Sequence, residues 1–196
     1  MPAKYLYMLA INFSPFPELS TKRLLLRRIT KYDAPGILKL RSDETVMRFI
    51  DRERAKTLAD AESFVRRIDD SLQANEGITW GIAFKEEPDL LIGTIGYWRI
   101  MKEHCRAEIG YMLRPDLWGK GIMKEALLEV IDTGFNSLKL HSIEAHINPE
   151  NTASGNILQA TGFVKEAHFK EDFYYEGTFR DTIIYSRLQD AVTVSQ

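Results

Sequence analysis

A single cysteine, Cys105, is all that the 196 residues contain. An intramolecular disulfide is therefore excluded, and with it the small secreted scaffold stapled by bridges. Catalysis by that thiol has no support either, because His104 and Arg106 flank it without a Cys–His–Asn pattern. Long apolar runs are also missing. Residues 5–11 form an apolar stretch after Lys4, far short of the roughly 18 to 20 residues that span a bilayer. Phe13-Ser14-Pro15-Phe16-Pro17 follows it and offers no small-residue cleavage site. The expectation is a cytoplasmic protein with no membrane partner and an N-terminal arm, residues 1–18. That arm packs either on its own domain or on a second subunit of a homodimer.

Charge of one sign is scarce as well. Lys and Arg number 26 against 28 for Asp and Glu, a net charge of −2 with no basic block. A nucleic-acid partner is not expected from that balance. The pairs Arg27-Arg28 and Arg66-Arg67 read as solvated faces. Only four histidines occur (His104, His141, His146 and His168), each in a separate element and without ligand spacing, so no metal is expected. Repeats and low-complexity linkers are absent, which leaves one domain over residues 19–188 and a C-terminal tail, residues 189–196.

What is present alternates in period. Residues 23–29 have strand character, and Asp33 with Pro35 marks a helix start. A short helix is expected over residues 45–50. Thr57 and Asp60 suggest a capping box, followed by Ala61, Phe64, Val65, Ile68 and Leu72 on one helical stripe. Extended segments then fall at residues 78–84, 90–101 and 107–113. Residues 120–135 return to a helical period. A strand at 141–147, a helix at 151–161 and strands at 163–173 and 178–187 complete the order. Three meandering strands feeding a βαβ crossover predict a mixed sheet covered by helices, an α/β or α+β fold.

The segment Leu113-Arg114-Pro115-Asp116-Leu117-Trp118-Gly119-Lys120-Gly121-Ile122-Met123 joins a strand to an amphipathic helix. Two glycines flank Lys120, where the backbone can approach a ligand closely. The first helical turn exposes unpaired N–H groups and the positive end of the helix dipole, which suits phosphate. It is not a Walker loop, since Arg occupies position 114 and no Ser or Thr follows Lys120. Taken alone, the segment is equally a plain glycine-containing turn.

A second stretch, Asn148-Pro149-Glu150-Asn151 with Ser154 and Gly162-Phe163, changes the weighing. Together with Trp118-Gly119-Lys120-Gly121, with the opening strand at residues 19–27 and with Ala107-Glu108-Ile109-Gly110-Tyr111, it resembles the GNAT superfamily of N-acetyltransferases. Within that superfamily it resembles the RimJ/RimL-like ribosomal-protein N-terminal acetyltransferases. The resemblance spans residues 19–188. It implies a mostly antiparallel mixed sheet of about six or seven strands with about four helices, the fourth and fifth strands splayed. It also implies acetyl-CoA as cofactor, with the backbone of Met112, Leu113 and Arg114 on the pantetheine arm. The N–H groups of Trp118, Gly119, Lys120, Gly121, Ile122 and Met123 would meet the pyrophosphate, and Asn151 the pantetheine. Trp118 and Met123 depart from the general superfamily pattern, the latter crowding one wall.

The implied reaction is direct attack of a neutral amine on the thioester. The acceptor would be a peptide N-terminus or a small amine; a non-catalytic sensor of acyl-CoA is the alternative from another class. Glu108 is the candidate base, a carboxylate in a central strand, unless it serves only a cross-sheet ion pair. Many members carry a tyrosine acid where Leu158 stands here. Ser154 is the substitute candidate, Tyr111 a second, and the coenzyme thiolate could leave without either. Tyr174, Tyr175 and Glu176 are expected beside the acceptor site.

Overall fold

The structure, a computed structural model, describes residues 9–189. Strands β1 (Leu19–Ser20) and β2 (Leu24–Arg28) open the sheet. Helices α1 (Ala34–Ser42), α2 (Glu44–Met47) and α3 (Leu58–Gln73) follow. The meander is β3 (Ile78–Phe84), β4 (Gly93–Met101) and β5 (Arg106–Leu113). Then come α4 (Ile122–Asp132), β6 (Ser142–Ile147), α5 (Thr152–Gln159), and a long hairpin of β7 (Val164–Tyr175) and β8 (Thr178–Leu188). One eight-stranded sheet results, in the order β1-β2-β3-β4-β5-β6-β8-β7. Only β5 and β6 run parallel. The sheet is larger than expected by the two-residue β1, too short to show a period.

Local chemistry explains the boundaries. Thr57 accepts from the Asp60 N–H while Asp60 bonds back to the Thr57 N–H, closing the expected capping box of α3. Asp33 was expected to cap α1 and does not. Its carboxylate is taken by the Thr30 N–H and by both terminal nitrogens of Arg27, so it completes the capping box of the preceding 3-10 turn, whose N-cap is Thr30. The fourth helix starts at Ile122, two residues late, because Gly121 holds φ at 72°. The strand expected from residue 90 starts at Gly93, and Leu91 packs between α1 and α3.

Two apolar layers sandwich the sheet. On one face α4 turns Ile122, Met123, Ala126, Leu127, Val130 and Ile131 onto Leu24, Leu26, Trp80, Ile95 and Ile109. A smaller cluster joins Ile37 and Leu40 of α1 to Ala61 and Val65 of α3. Burying each such side chain contributes about 1.5–3 kcal/mol, which makes the α4 face the main tie between helix and sheet. The arm packs on its own domain over residues 9–18: Phe13 is buried, Phe16 meets Trp80 edge-on, and the Trp80 indole donates to the Pro17 carbonyl at 2.7 Å. Residues 1–8 and 190–196 lie outside the described residues. Among the described residues no helix is long and apolar enough to cross a membrane.

Candidate active site

Parallel pairing between β5 and β6 covers Arg106↔Ser142, Ala107↔Ile143 and Glu108↔Glu144, then stops. Beyond that rung β5 is paired only with β4, and β6 only with β8. These two are the splayed fourth and fifth strands that the family resemblance implied. The register decides which backbone groups face the gap. Arg114 donates to the Ile92 carbonyl at 3.0 Å, which sets Met112 and Gly110 as hydrogen-bonded partners of β4. The intervening residues, Tyr111 and Leu113, therefore turn their N–H and C=O groups towards the gap. Of the three residues expected there, Leu113 alone faces it, while Met112 and Arg114 are committed to the sheet. Tyr111, expected only as a side chain, joins through its backbone. The Leu113 carbonyl also accepts the Trp118 indole N–H at 2.8 Å.

At the end of the gap Pro115–Leu117 forms a 3-10 turn, and the Trp118 amide is spent on the Pro115 carbonyl at 3.1 Å. The expected set of phosphate-facing amides therefore loses Trp118. Among the described residues, the N–H groups of 119–124 donate no hydrogen bond of ordinary geometry to the protein, and the first helical bond is Glu125 N–H to the Gly121 carbonyl. Gly119 and Gly121 both adopt left-handed torsions, φ 73° and 72°. Gly121 thereby turns the chain into α4 with its early amides exposed at the dipole's positive end. Met123 itself turns inward to the core.

Arg23 lies beneath this loop. Its guanidinium donates to the Lys120 carbonyl at 3.1 Å and to Glu125 at 2.7 Å, and Glu125 also accepts from the Arg23 N–H and the Thr21 hydroxyl. Burial favours the neutral form of Glu125, but those donors outweigh it and hold the carboxyl below its ordinary pKa. Arg23 carried no local signal in the sequence, because a strand arginine 97 residues from Lys120 reads as surface.

The opposite wall begins at Asn151. Its side-chain carbonyl caps α5 by accepting the Ser154 N–H at 3.1 Å, which leaves its NH2 group without an acceptor among the described residues. Tyr111 reaches the same corner. Burial pushes its hydroxyl up to about 12, an effect that the Ser154 hydroxyl partly offsets, although no hydrogen bond of ordinary geometry joins the two. Leu158 is fully buried in the core.

On the sheet face away from α4, Glu108 and Glu144 stand side by side on the last shared rung, 7 % and 4 % exposed. His146 completes a cluster in which one ligand-type atom from each lies within 4.8 Å of the others. No ligand spacing along the chain signals this cluster; β6 delivers Glu144 and His146 at alternate positions beside Glu108. The Arg106 guanidinium bonds Glu144, and Arg99 Nη1 approaches Glu108 Oε2 to 3.0 Å. That approach is an ion pair outside hydrogen-bond geometry, so Glu108 Oε2 keeps no hydrogen-bond partner, and neither does His146 Nε2. Arg99 is aimed there by a bulge in β4 and holds φ at 48°. Two carboxylates and a histidine are metal-ligand types, yet two guanidiniums already balance their charge. The remaining histidines lie apart, His168 paired with Asp181 at 2.7 Å.

The expected border residues lie on the β7–β8 turn. Tyr174 packs on Phe179, and Tyr175 on Phe173 and Arg180. Arg180 pairs with Asp51, which fastens the hairpin to the connection between α2 and α3, and Arg48 approaches Glu150 at 3.9 Å.

The splayed parallel pair with a loop of free amides at its open end is the arrangement that the resemblance implied, and the comparisons show the family. Residues 23–164 match the family described as acetyltransferase (GNAT) domain, so the chain belongs to the GNAT N-acetyltransferases and is an acyltransferase. It is 37% identical over 171 residues to the uncharacterized N-acetyltransferase YoaA of Bacillus subtilis, covering 87% of this chain and 96% of the relative. Among solved structures, the ribosomal-protein-S5-alanine acetyltransferase of Vibrio fischeri superposes with a TM-score of 0.77 at 27% identity, covering 89% of this chain and 98% of that one. The spermidine N-acetyltransferase of Vibrio cholerae, solved with CoA and spermine, gives 0.75 at 25% identity, covering 85% and 95%. The RimJ/RimL-like relationship is thereby shown, and the family uses acetyl-CoA.

Proposed function

We propose that this chain binds acetyl-CoA and moves its acetyl group onto a primary amine by direct attack, with a peptide or protein N-terminal α-amine as acceptor. The observation that carries it is the run of six unspent amides, residues 119–124, at the mouth of a gap whose wall offers the backbone of Tyr111 and Leu113. Those amides, with Arg23 behind them, suit a diphosphate. The N–H and C=O groups of Tyr111 and the N–H of Leu113 suit the amides of a pantetheine arm, and the free NH2 of Asn151 adds a donor from α5.

Bound acetyl-CoA supplies the activated acyl group; the protein's share is position and proton management. A peptide α-amine titrates near 7.7–8.0, so roughly a tenth is neutral at pH 7, against about one part in a few thousand for a lysine amine. Glu108, buried and one short ion pair away from free, accepts the proton that the attacking nitrogen sheds. Backbone N–H groups at the gap stabilise the oxyanion. Tyr111 at about 12 is a poor acid for a thiolate whose conjugate thiol titrates near 8.5. It serves as a hydrogen-bond donor there, next to Ser154.

A small polyamine acceptor is the second reading, favoured by the likeness to the spermidine enzyme. Free-thiol release from acetyl-CoA, followed with a panel of peptides and of small amines, separates the two. Peptide turnover supports the first reading, turnover with polyamines alone replaces it with the second, and tight CoA binding without turnover on any acceptor makes the chain a sensor.

A further inference from the structure

Among the described residues four charged side chains are buried, Asp33, Arg41, Glu108 and Glu144, and all but Arg41 sit in an ion pair. A buried guanidinium is rarely left without a counter-charge. Arg41, 9 % exposed, has the Glu53 carbonyl at 3.4 Å and the face of the Phe64 ring, whose centroid lies 4.3 Å from its Cζ. Burial first, then the like charges of Arg67 and Arg52, depress its pKa below an ordinary arginine's. Its side chain lines a cavity of about 380 Å³ between the end of α1, the connection at residues 53–56 and α3 from Asp60 to Arg67. Arg54, Lys56 and Arg67 line the same cavity, against Glu53 and Asp60. Four positive and two negative side chains leave an excess of two positive charges. The carboxylates do little to relieve it. Asp60 is occupied by the Lys56 and Thr57 N–H groups, and Glu53 offers Arg41 only its carbonyl. Glu44 approaches Arg54 from outside the cavity, at 3.8 Å, with both side chains exposed.

We infer that this cavity is a binding site for the phosphate-monoester group of a small molecule, held by Arg41, Arg54, Lys56 and Arg67. Charge, shape and size each select that class. A phosphate monoester carries about two negative charges at neutral pH, which matches the excess of two. The four cations come from α1, the connection and α3, so they meet an anion from several directions. The oxygens of a tetrahedral group can use donors placed that way, whereas a carboxylate is gripped in one plane. A volume of about 380 Å³ suits a small ligand. The site shares no residue with the α4 loop or with the gap between β5 and β6, so it stands apart from the acyl-transfer function proposed above.

Methyl phosphate, titrated into the full chain at about pH 7.5 and constant ionic strength, tests this with a minimal ligand of the class. The Ala55 N–H, which donates to the Arg41 carbonyl at 3.0 Å, reports on the cavity by NMR. The Gly119 and Gly121 amides report on the α4 loop in the same spectra. A saturable shift at Ala55 is expected. Methyl sulfate has the same shape with one charge fewer, and succinate has the charge on planar groups. Each should bind at least about fivefold more weakly. Arg67→Gln, a change at an exposed side chain, should weaken methyl phosphate by about threefold or more, and Arg41→Met by about tenfold or more. If Arg41→Met does not fold, Arg67→Gln decides. Shifts confined to Gly119 and Gly121, no saturation at Ala55, equal binding of methyl sulfate or succinate, or an unchanged affinity in Arg67→Gln would overturn the inference.

Discussion

Glu108 carries the heaviest chemical duty and is also the residue whose role was only half legible. A carboxylate between Ala107 and Ile109 in a central strand signals something unusual, but a base and an ion-pair partner look alike in one dimension. The structure supplies both neighbours, Arg99 at 3.0 Å and Glu144 across the last rung. Glu108→Gln keeps the shape and removes the proton acceptor. It should lower kcat by about 10² or more while CoA affinity stays unchanged. A loss under about tenfold, with CoA binding intact, would leave Glu108 as a binding group only. His146 shows the opposite limit of sequence inspection. Glu144, two residues earlier on β6, comes within 3.6 Å of its Nε2, but the third member of the cluster, Glu108, sits on a strand that only the fold brings alongside.

Among the elements, α4 was plain in its apolar stripe and obscure in its attachment. The period placed Met123, Leu127, Val130, Ile131 and Phe135 inward, and all five are buried. Nothing local revealed that Glu125 in its first turn would be claimed by Thr21 and Arg23 from the start of the sheet. Its carboxyl titrates below its ordinary value in the folded chain, so its stabilisation is fully present above the unfolded pKa, near 4.3, and is lost as pH falls through the folded pKa. Glu125→Gln should therefore cost on the order of 1–3 kcal/mol in urea unfolding at pH 7, with the difference from the parent chain shrinking below about pH 4. A cost that persists unchanged at pH 3 would assign the effect to packing instead. The boundaries that moved, Asp33 and Gly121, did so for tertiary reasons: Arg27 captured the first, and the left-handed turn at the second delayed the helix.

At the scale of the whole molecule, strand order and the single parallel pair follow from the meander-then-crossover pattern, which is why the fold class was legible. Motif resemblance located the gap between the fourth and fifth strands; backbone polarity along β5 was not visible until the register with β4 was known. That register kept Leu113 among the facing groups, withdrew Met112 and Arg114 and added Tyr111, and a local turn removed Trp118 from the amides available to a phosphate. The arm's attachment was equally unreadable in advance, since Pro17 meets Trp80 across 63 residues.

The amides at the start of α4 are where every other assignment is anchored, and calorimetric titration of CoA into the parent chain and Gly121→Glu measures them directly. Position 121 sits at φ 72°, where a side chain strains the loop, and a carboxylate there would face the diphosphate. Saturable binding by the parent chain and none detectable by the variant, with both equally folded by circular dichroism, is the expected result. Equal CoA affinity in the two proteins would mean that the diphosphate lies elsewhere, and the proposed site with it.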